Sequence, residues 1–443
     1  MCPPNDIPQL SDASAVIQNT PPGASTSLSS AEELQRELDK VPRSVLAHVV
    51  DVHCHPTDSE AKMTHHVVAE GLPIRICAMA TRRSDQELVA GLARAHPDKV
   101  VPCFGYHPWF YHWISLTPAP SKESHYRALF LPSSPPPKPE LVAAFERLLP
   151  YLPEPIPLSD LLQDVRSRLV QFPGAMLGEV GIDRVCRIPY SRPADPPYAN
   201  CADHEDGSSR ELSPFTIPLE HQLAILEAQL ALAVELKRNV SLHSVKCQQA
   251  TCELLDRMKT KHGAAWLRIS VDLHSCGLSP QTWQQISVGR RPCEQCPSRA
   301  ALEPPNRTLI VARIDLFEPS QKRHPNVFLS LSTAINARSP AHRALIAACA
   351  PDRILVESDF HDVRLSAPYT WHMLCTVAAV KGWRVEEVWD EDEAAVREEK
   401  WGAVRRLEEN WKLFVRGEHE ERVKRKDKRN RFIEEWEAEA EGE

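Results

Sequence analysis

Eight short apolar runs alternate with helical stretches along this chain, and that alternation constrains its fold more than any other feature. The runs are LAHVVDVHCH (46–55), PIRICAMA (73–80), KVVPCFGYHP (99–108), AMLGEVGID (175–183), NVSLHS (239–244), LRISVDLHS (267–275), NVFLSLS (326–332) and RILVESD (353–359). Each reads as a buried strand. Between them SDQELVAGLARA (84–95), DLLQDVRSRLVQF (160–172) and residues 218–238 carry helical patterns. In the last, Leu219, Leu223, Leu226, Leu230 and Val234 recur at spacings of three and four. Eight strands separated by helices predict an α/β fold, a (β/α)8 TIM-type barrel. The rival, an open doubly wound sheet, often has a glycine-rich phosphate loop at its first turn, and none is present here.

Three stretches interrupt the alternation and read as loop insertions on a barrel face, at about 109–157, 184–214 and 289–325. The chain has 39 prolines against 15 glycines, and twelve prolines fall between Pro108 and Pro157. Such a bias points to irregular loops rather than tight hairpins. The barrel is expected over residues 45–416. Residues 1–44, rich in Pro, Ser and Thr at their start, read as a disordered tail. Residues 417–443 read as a charged tail, either a solvated helix or a nuclear-localisation or partner-binding segment. Cys293 and Cys296 in the third insertion form half of a zinc motif with no second pair close in sequence.

Net charge excludes one broad class of function. With 52 basic and 60 acidic side chains, the net charge of −8 argues against coating nucleic acid through bulk charge, although a local basic groove is compatible with it. The longest apolar run falls short of the roughly 18–20 residues of a membrane span, so no membrane association is expected. Thirteen cysteines without framework spacing suit reduced thiols. The N-terminal stretch has no targeting pattern, and a cytoplasmic or nuclear location is expected.

The chemistry lies at the strand ends. His53 and His55 close the first run two residues apart, so both point to one face while Cys54 points away. Glu179 lies near the end of the fourth strand, His243 ends the fifth, His274 the sixth and Asp359 the eighth. Buried titratable groups cost several kcal/mol unless paired or metal-bound. Four imidazoles and two carboxylates gathered at one barrel mouth form a nitrogen/oxygen ligand set suited to divalent cations, with Glu179 able to bridge two of them.

VDVHCHPTD, GYHPW, LGEVGID, VSLHS, DLHS and LVESD, in this order, resemble the signature blocks of the TatD-type metal-dependent deoxyribonucleases, within the amidohydrolase-like barrels. The resemblance covers about residues 46–415 and includes closing helices at VEEVW and LEENWKLF. The long Pro-rich insertions look like a fungal branch whose members are described as partners of an anaphase-promoting-complex subunit. This resemblance implies two divalent ions (Zn, Mn or Mg), one on His53, His55 and Asp359 and the other on His243 and His274, with Glu179 shared. It implies two-metal hydrolysis of a phosphodiester, with DNA as substrate, Asp359 and Glu179 in catalytic roles, Asp359 orienting or deprotonating the attacking water and His107 near the substrate. A protein partner on the insertions is the other expectation.

The chain departs from the family pattern at Val245 (Lys246 follows), at Ser275, Cys276 and Gly277, and at Phe360 and His361. All line the presumed substrate side. Two alternative readings are another ester or amide as substrate, and a scaffold protein on the same barrel.

Overall fold

Every apolar run forms a strand in the computed structural model, which describes residues 30–58, 71–117, 121–131, 135–191, 211–287, 324–390 and 401–419. The strands are β1 (Val50–Cys54), β2 (Arg75–Met79), β3 (Val100–Phe104), β4 (Met176–Asp183), β5 (Val240–Val245), β6 (Val271–Leu273), β7 (Val327–Ser332) and β8 (Ile354–Glu357). They pair in sequence order and every ladder is parallel. The helices are α1 (Ala31–Leu38), α2 (Arg43–Leu46), α3 (Gln86–Ala95), α4 (Lys122–Phe130), α5 (Pro139–Leu148) and α6 (Leu158–Gln171). They continue with α7 (Leu219–Leu236), α8 (Gln248–His262), α9 (Pro280–Ser287), α10 (Ala341–Ala348), α11 (Val363–Lys381) and α12 (Ala403–Arg416). Parallel strands need crossovers, and helices lie between most consecutive strands, giving the expected (β/α)8 barrel.

The barrel closes at a seam of a different kind. Among the described residues, β1 and β8 share no ladder. At their C-terminal ends, the Asp359 N–H donates to the His53 carbonyl and the His55 N–H to the Phe360 carbonyl, both at 2.9 Å. Deeper in the seam, Asp51 accepts from the Ser358 N–H at 2.9 Å and from its hydroxyl at 2.6 Å. Burial outweighs these hydrogen bonds and pushes the Asp51 carboxyl up to about 7.

The N-terminal end of the barrel is plugged. Trp411 and Phe414 of α12 pack on an apolar cluster that includes Val50, Val52, Met79, Met176, Phe328 and Leu355. Asn239 and Ser270, at the starts of β5 and β6, donate to the Phe414 carbonyl, and Glu418 and His419 hydrogen-bond back to Arg268 and Leu267. The opposite mouth is left for chemistry.

Two expectations are corrected. Within residues 1–44, expected to be a tail, Ala31–Leu38 and the start of Arg43–Leu46 are helical. Ser30 and Glu33 form a reciprocal capping box at α1, and Leu34 and Leu38 are buried, with α1 lying against α11. The 109–157 segment is mostly ordered helix rather than irregular loop. Two of its prolines sit where a helix tolerates them, Pro139 and Pro150 each at the first turn of a helical segment. The helices bury Tyr126 and Phe145 fully, and each such ring contributes about 1.5–3 kcal/mol. In the second insertion, Arg187–Pro189 pairs antiparallel with Leu212–Thr216. Residues 1–29, 192–210, 288–323 and 420–443 lie outside the described residues, and with them Cys293, Cys296 and most of the third insertion.

Candidate metal centre

The seven residues singled out from the sequence meet at the C-terminal mouth of the barrel, and all are buried. Glu179 is the hub. It lies mid-strand in β4, in the segment LGEVGID, where glycines let β4 and β5 approach closely. A Cβ at Gly181 would lie 2.1 Å from the His243 carbonyl oxygen, so no other residue fits there without moving a strand.

One half of the site gathers around Glu179 Oε2. His53 Nε2 is 3.5 Å away and His55 Nε2 3.3 Å. The two imidazole nitrogens are 3.0 Å apart. Asp359 Oδ1 is 3.5 Å from His55 Nε2 and 3.8 Å from His53 Nε2. Among the described residues, neither Glu179 Oε2 nor Asp359 Oδ1 has a hydrogen-bond partner, although both are buried. Metal–ligand bonds near 2.1 Å set tetrahedral ligand atoms about 3.4 Å apart, and these separations scatter closely around that value. His53, His55 and Asp359 are close enough together to hold a divalent cation, with Glu179 Oε2 beside the two imidazoles. His53 Nδ1 lies 2.7 Å from Ser241 Oγ, a partner that frees Nε2 for the cation when Nδ1 carries the proton.

The other half surrounds Glu179 Oε1. His274 Nε2 lies at 2.7 Å, His243 Nδ1 at 2.9 Å and His107 Nε2 at 3.1 Å. His107, Glu179 and His243 are close enough together to share an ion. Hydrogen bonding argues against His107 as a ligand, however. The Trp109 N–H donates to His107 Nδ1 at 3.1 Å, so the proton of the neutral ring sits on Nε2 and points at Glu179. His107 is therefore a donor that holds Glu179, leaving His243 and His274 as the imidazoles able to coordinate. Asp183 backs His243, with Oδ2 3.4 Å from His243 Nε2. It is itself fixed by the indole N–H of Trp109 at 2.8 Å and by Gln222 on its backbone.

The electrostatics agree with a cation site. Burial disfavours charge on Glu179, but the imidazoles of His107, His274 and His53 outweigh it and hold the carboxyl well below its usual range. Asp359 is likewise buried, and His55, His274 and His53 hold it low. Burial opposes a proton on His55, yet Asp359 and Glu179 lift it to about 9. The negative potential that favours a proton there equally favours a divalent ion on the neutral ring. Burial drives His107 down to about 3, consistent with a neutral donor.

Several partners of these residues were not legible as such. Glu357 precedes Asp359 by two positions in β8 and lies 3.8 Å from His274 Nδ1. Ser275, prominent in the sequence only as a departure from the family pattern, contacts both Glu357 and Asp359. Strand alternation, which puts Asp183 on the face of Glu179 and Glu357 on that of Asp359, was the available signal.

Comparison with known proteins agrees with the sequence blocks. The family described as TatD related DNase matches residues 50–398. The Cut9-interacting protein scn1 of Schizosaccharomyces pombe is 28% identical over 346 residues, covering 76% of this chain and 94% of that protein. An uncharacterized deoxyribonuclease of Saccharomyces cerevisiae is 24% identical over 374 residues, covering 83% and 99%. A crystal structure of a TatD homologue from Escherichia coli K12 matches with a TM-score of 0.44 and 15% identity, over 83% of this chain and 98% of that one. The family match runs from the first barrel strand past the last, over well more than half of the sequence, and on that extent this chain belongs to the TatD related DNase family.

Proposed function

We propose that this protein is a metal-dependent hydrolase of phosphodiester bonds, with DNA as its substrate. The observation that carries the reading is the convergence of His53, His55, Glu179 and Asp359 around two buried carboxylate oxygens that have no hydrogen-bond partner among the described residues. Two divalent ions (Zn, Mn or Mg) would be held by these residues and, around Glu179 Oε1, by His243 and His274. When bound, the ions supply Lewis acidity and a water made nucleophilic near neutral pH.

The chain's own residues do the rest. Asp359 presents Oδ1 to the mouth and accepts the proton of the attacking water, its ionised state secured by the surrounding imidazoles. Glu179 keeps the two halves of the site in register. His107 has its donor hydrogen fixed in direction by Trp109 and given to Glu179, so it orients that carboxylate from beside the substrate.

The test is hydrolysis of single- and double-stranded oligonucleotides by the full chain with added Mn, Mg or Zn, and again with chelator. Cleavage that needs the ion supports the proposal. A folded protein inactive with every ion refutes it and favours the second reading, a scaffold that binds a protein partner through its insertions. That reading draws on the relative named as a Cut9-interacting protein. A location in cytoplasm or nucleus suits either reading.

A further inference from the structure

Among the described residues, Asp359 is hydrogen-bonded at only one of its carboxylate oxygens. Oδ1 faces His53 and His55 without a hydrogen bond. Oδ2 lies 2.9 Å from the hydroxyl of Ser275, a residue 84 positions away in the turn that follows β6. The same hydroxyl lies 2.8 Å from Glu357 Oε1 and 2.8 Å from Ser332 Oγ, and the Ser275 N–H donates to Glu357 Oε1 at 2.6 Å.

A proton count resolves this cluster. A serine hydroxyl has one hydrogen and here faces two carboxylates. Glu357 Oε1 already receives the Ser275 N–H, and Glu357 Oε2 is 2.5 Å from the Ser330 hydroxyl. Asp359 Oδ2 has Ser275 as its hydrogen-bond donor. The Ser330 hydrogen also faces Asp272 Oδ2 at 2.6 Å, and the arrangement that gives Asp359 Oδ2 a donor is a chain in which Ser332 donates to Ser275 and Ser275 donates to Asp359.

The backbone of Ser275 is in the left-handed region, with φ 39°. Glycine would adopt that conformation at lower cost than serine. A side chain is thus kept where the backbone favours none, and the use the structure makes of it is the bond to Asp359.

We propose that Ser275 is the positioning residue of Asp359: its hydroxyl pins Oδ2 and thereby turns Oδ1 towards His53 and His55. The inference rests on the reading of Asp359 as a metal ligand. Ser275 touches neither a reacting atom nor the ion, and it acts through the carboxylate.

The test separates this role from a merely structural one, because the two move in opposite directions in Ser275→Gly. That variant relieves the left-handed backbone, so its melting temperature in chelator should equal or exceed that of the wild type. Its affinity for Mn²⁺, measured by isothermal titration on the full chain, should fall about ten- to a hundredfold, the usual effect of losing a residue that orients a metal ligand. At saturating Mn²⁺, kcat on an activated aryl phosphodiester should fall while KM stays within about twofold, since substrate contacts are untouched. Ser275→Ala should show the same loss of affinity.

Mn²⁺ binding by Ser275→Gly within about twofold of wild type would overturn the proposal, as would a loss of affinity matched by a loss of thermal stability in both variants. A wild type that binds no ion would instead bring down the metal reading itself, and the positioning role with it.

Discussion

Replacing Asp359 with Asn tests the site most directly, because the structure dictates how the amide must sit. Asparagine has one acceptor oxygen and one donor nitrogen where aspartate has two acceptors. Ser275 offers a hydroxyl proton at the Oδ2 position, so the amide oxygen takes that place and the NH2 group turns towards His53 and His55. Two N–H donors then point at imidazole nitrogens 3.5–3.8 Å away, where the wild type offers a lone pair and a negative charge. The substitution therefore does more than delete a ligand, since it fills the cation's place with hydrogen-bond donors. Loss of a positioned base alone costs about 10²–10⁴-fold in rate, and the weakened ion site adds to that. The fold should persist, because the amide makes hydrogen bonds that its environment accepts. The assay is cleavage of a labelled oligonucleotide at several Mn²⁺ concentrations, beside circular dichroism and thermal melting. A folded Asp359→Asn protein with wild-type activity at low Mn²⁺ would refute the assignment.

Three further outcomes follow from the same geometry. His107→Phe removes the donor that steadies Glu179 Oε1 and should lower kcat about 10–100-fold, with partial recovery in His107→Gln; equal rates in all three proteins would show that the Trp109–His107–Glu179 chain is idle. An ion supplied at a thousand times its dissociation constant should stabilise the fold by about 4 kcal/mol relative to chelator, seen as a higher denaturation midpoint, whereas superimposed unfolding curves would exclude a bound ion. Burial depresses His112 from 6.5 to about 3, beside His125 and His221 that are lowered by the same cause, so the folded protein refuses protons that the unfolded chain accepts. Stability from His112 is complete above pH 6.5 and is lost as pH falls, by about 2 kcal/mol at pH 5, and His112→Gln should flatten the pH dependence of urea unfolding by that amount.

The barrel was legible because each strand announces itself locally. A short apolar run is a self-contained signal, and the eight strands match the eight runs, β5 extending one residue further to Val245. The gathering of His53, His55, Glu179, His243, His274 and Asp359 followed from barrel geometry, since parallel strands share one C-terminal face. What stayed hidden depends on pairing at a distance. Ser275 meets Asp359 across 84 positions and Asp183 meets His243 across 60, and neither pairing has a local sequence signature. The 109–157 segment was misread for a different reason: proline density outweighed the aromatic residues Tyr126 and Phe145, although proline at a helix start is as compatible with order as with a loop. The α1 signal was present in the Ser30–Glu33 box but stood beside a polar, unpatterned stretch.

The seam between β1 and β8 links folding to the candidate ligands. It joins segments 307 positions apart, so the loop it closes spans most of the chain. Contacts of that separation form late, after the local β–α–β units have assembled the sheet from both ends. His53 and His55 stand on one lip of the seam and Asp359 on the other. An ion held by all three would act as a clasp across the last gap to close and would slow the reopening of the barrel more than it speeds its formation. The backbone amides of His55 and Asp359, which bridge the seam, are the reporters: their hydrogen exchange should slow on addition of Mn²⁺ by a larger factor than that of amides within the β2–β3 ladder.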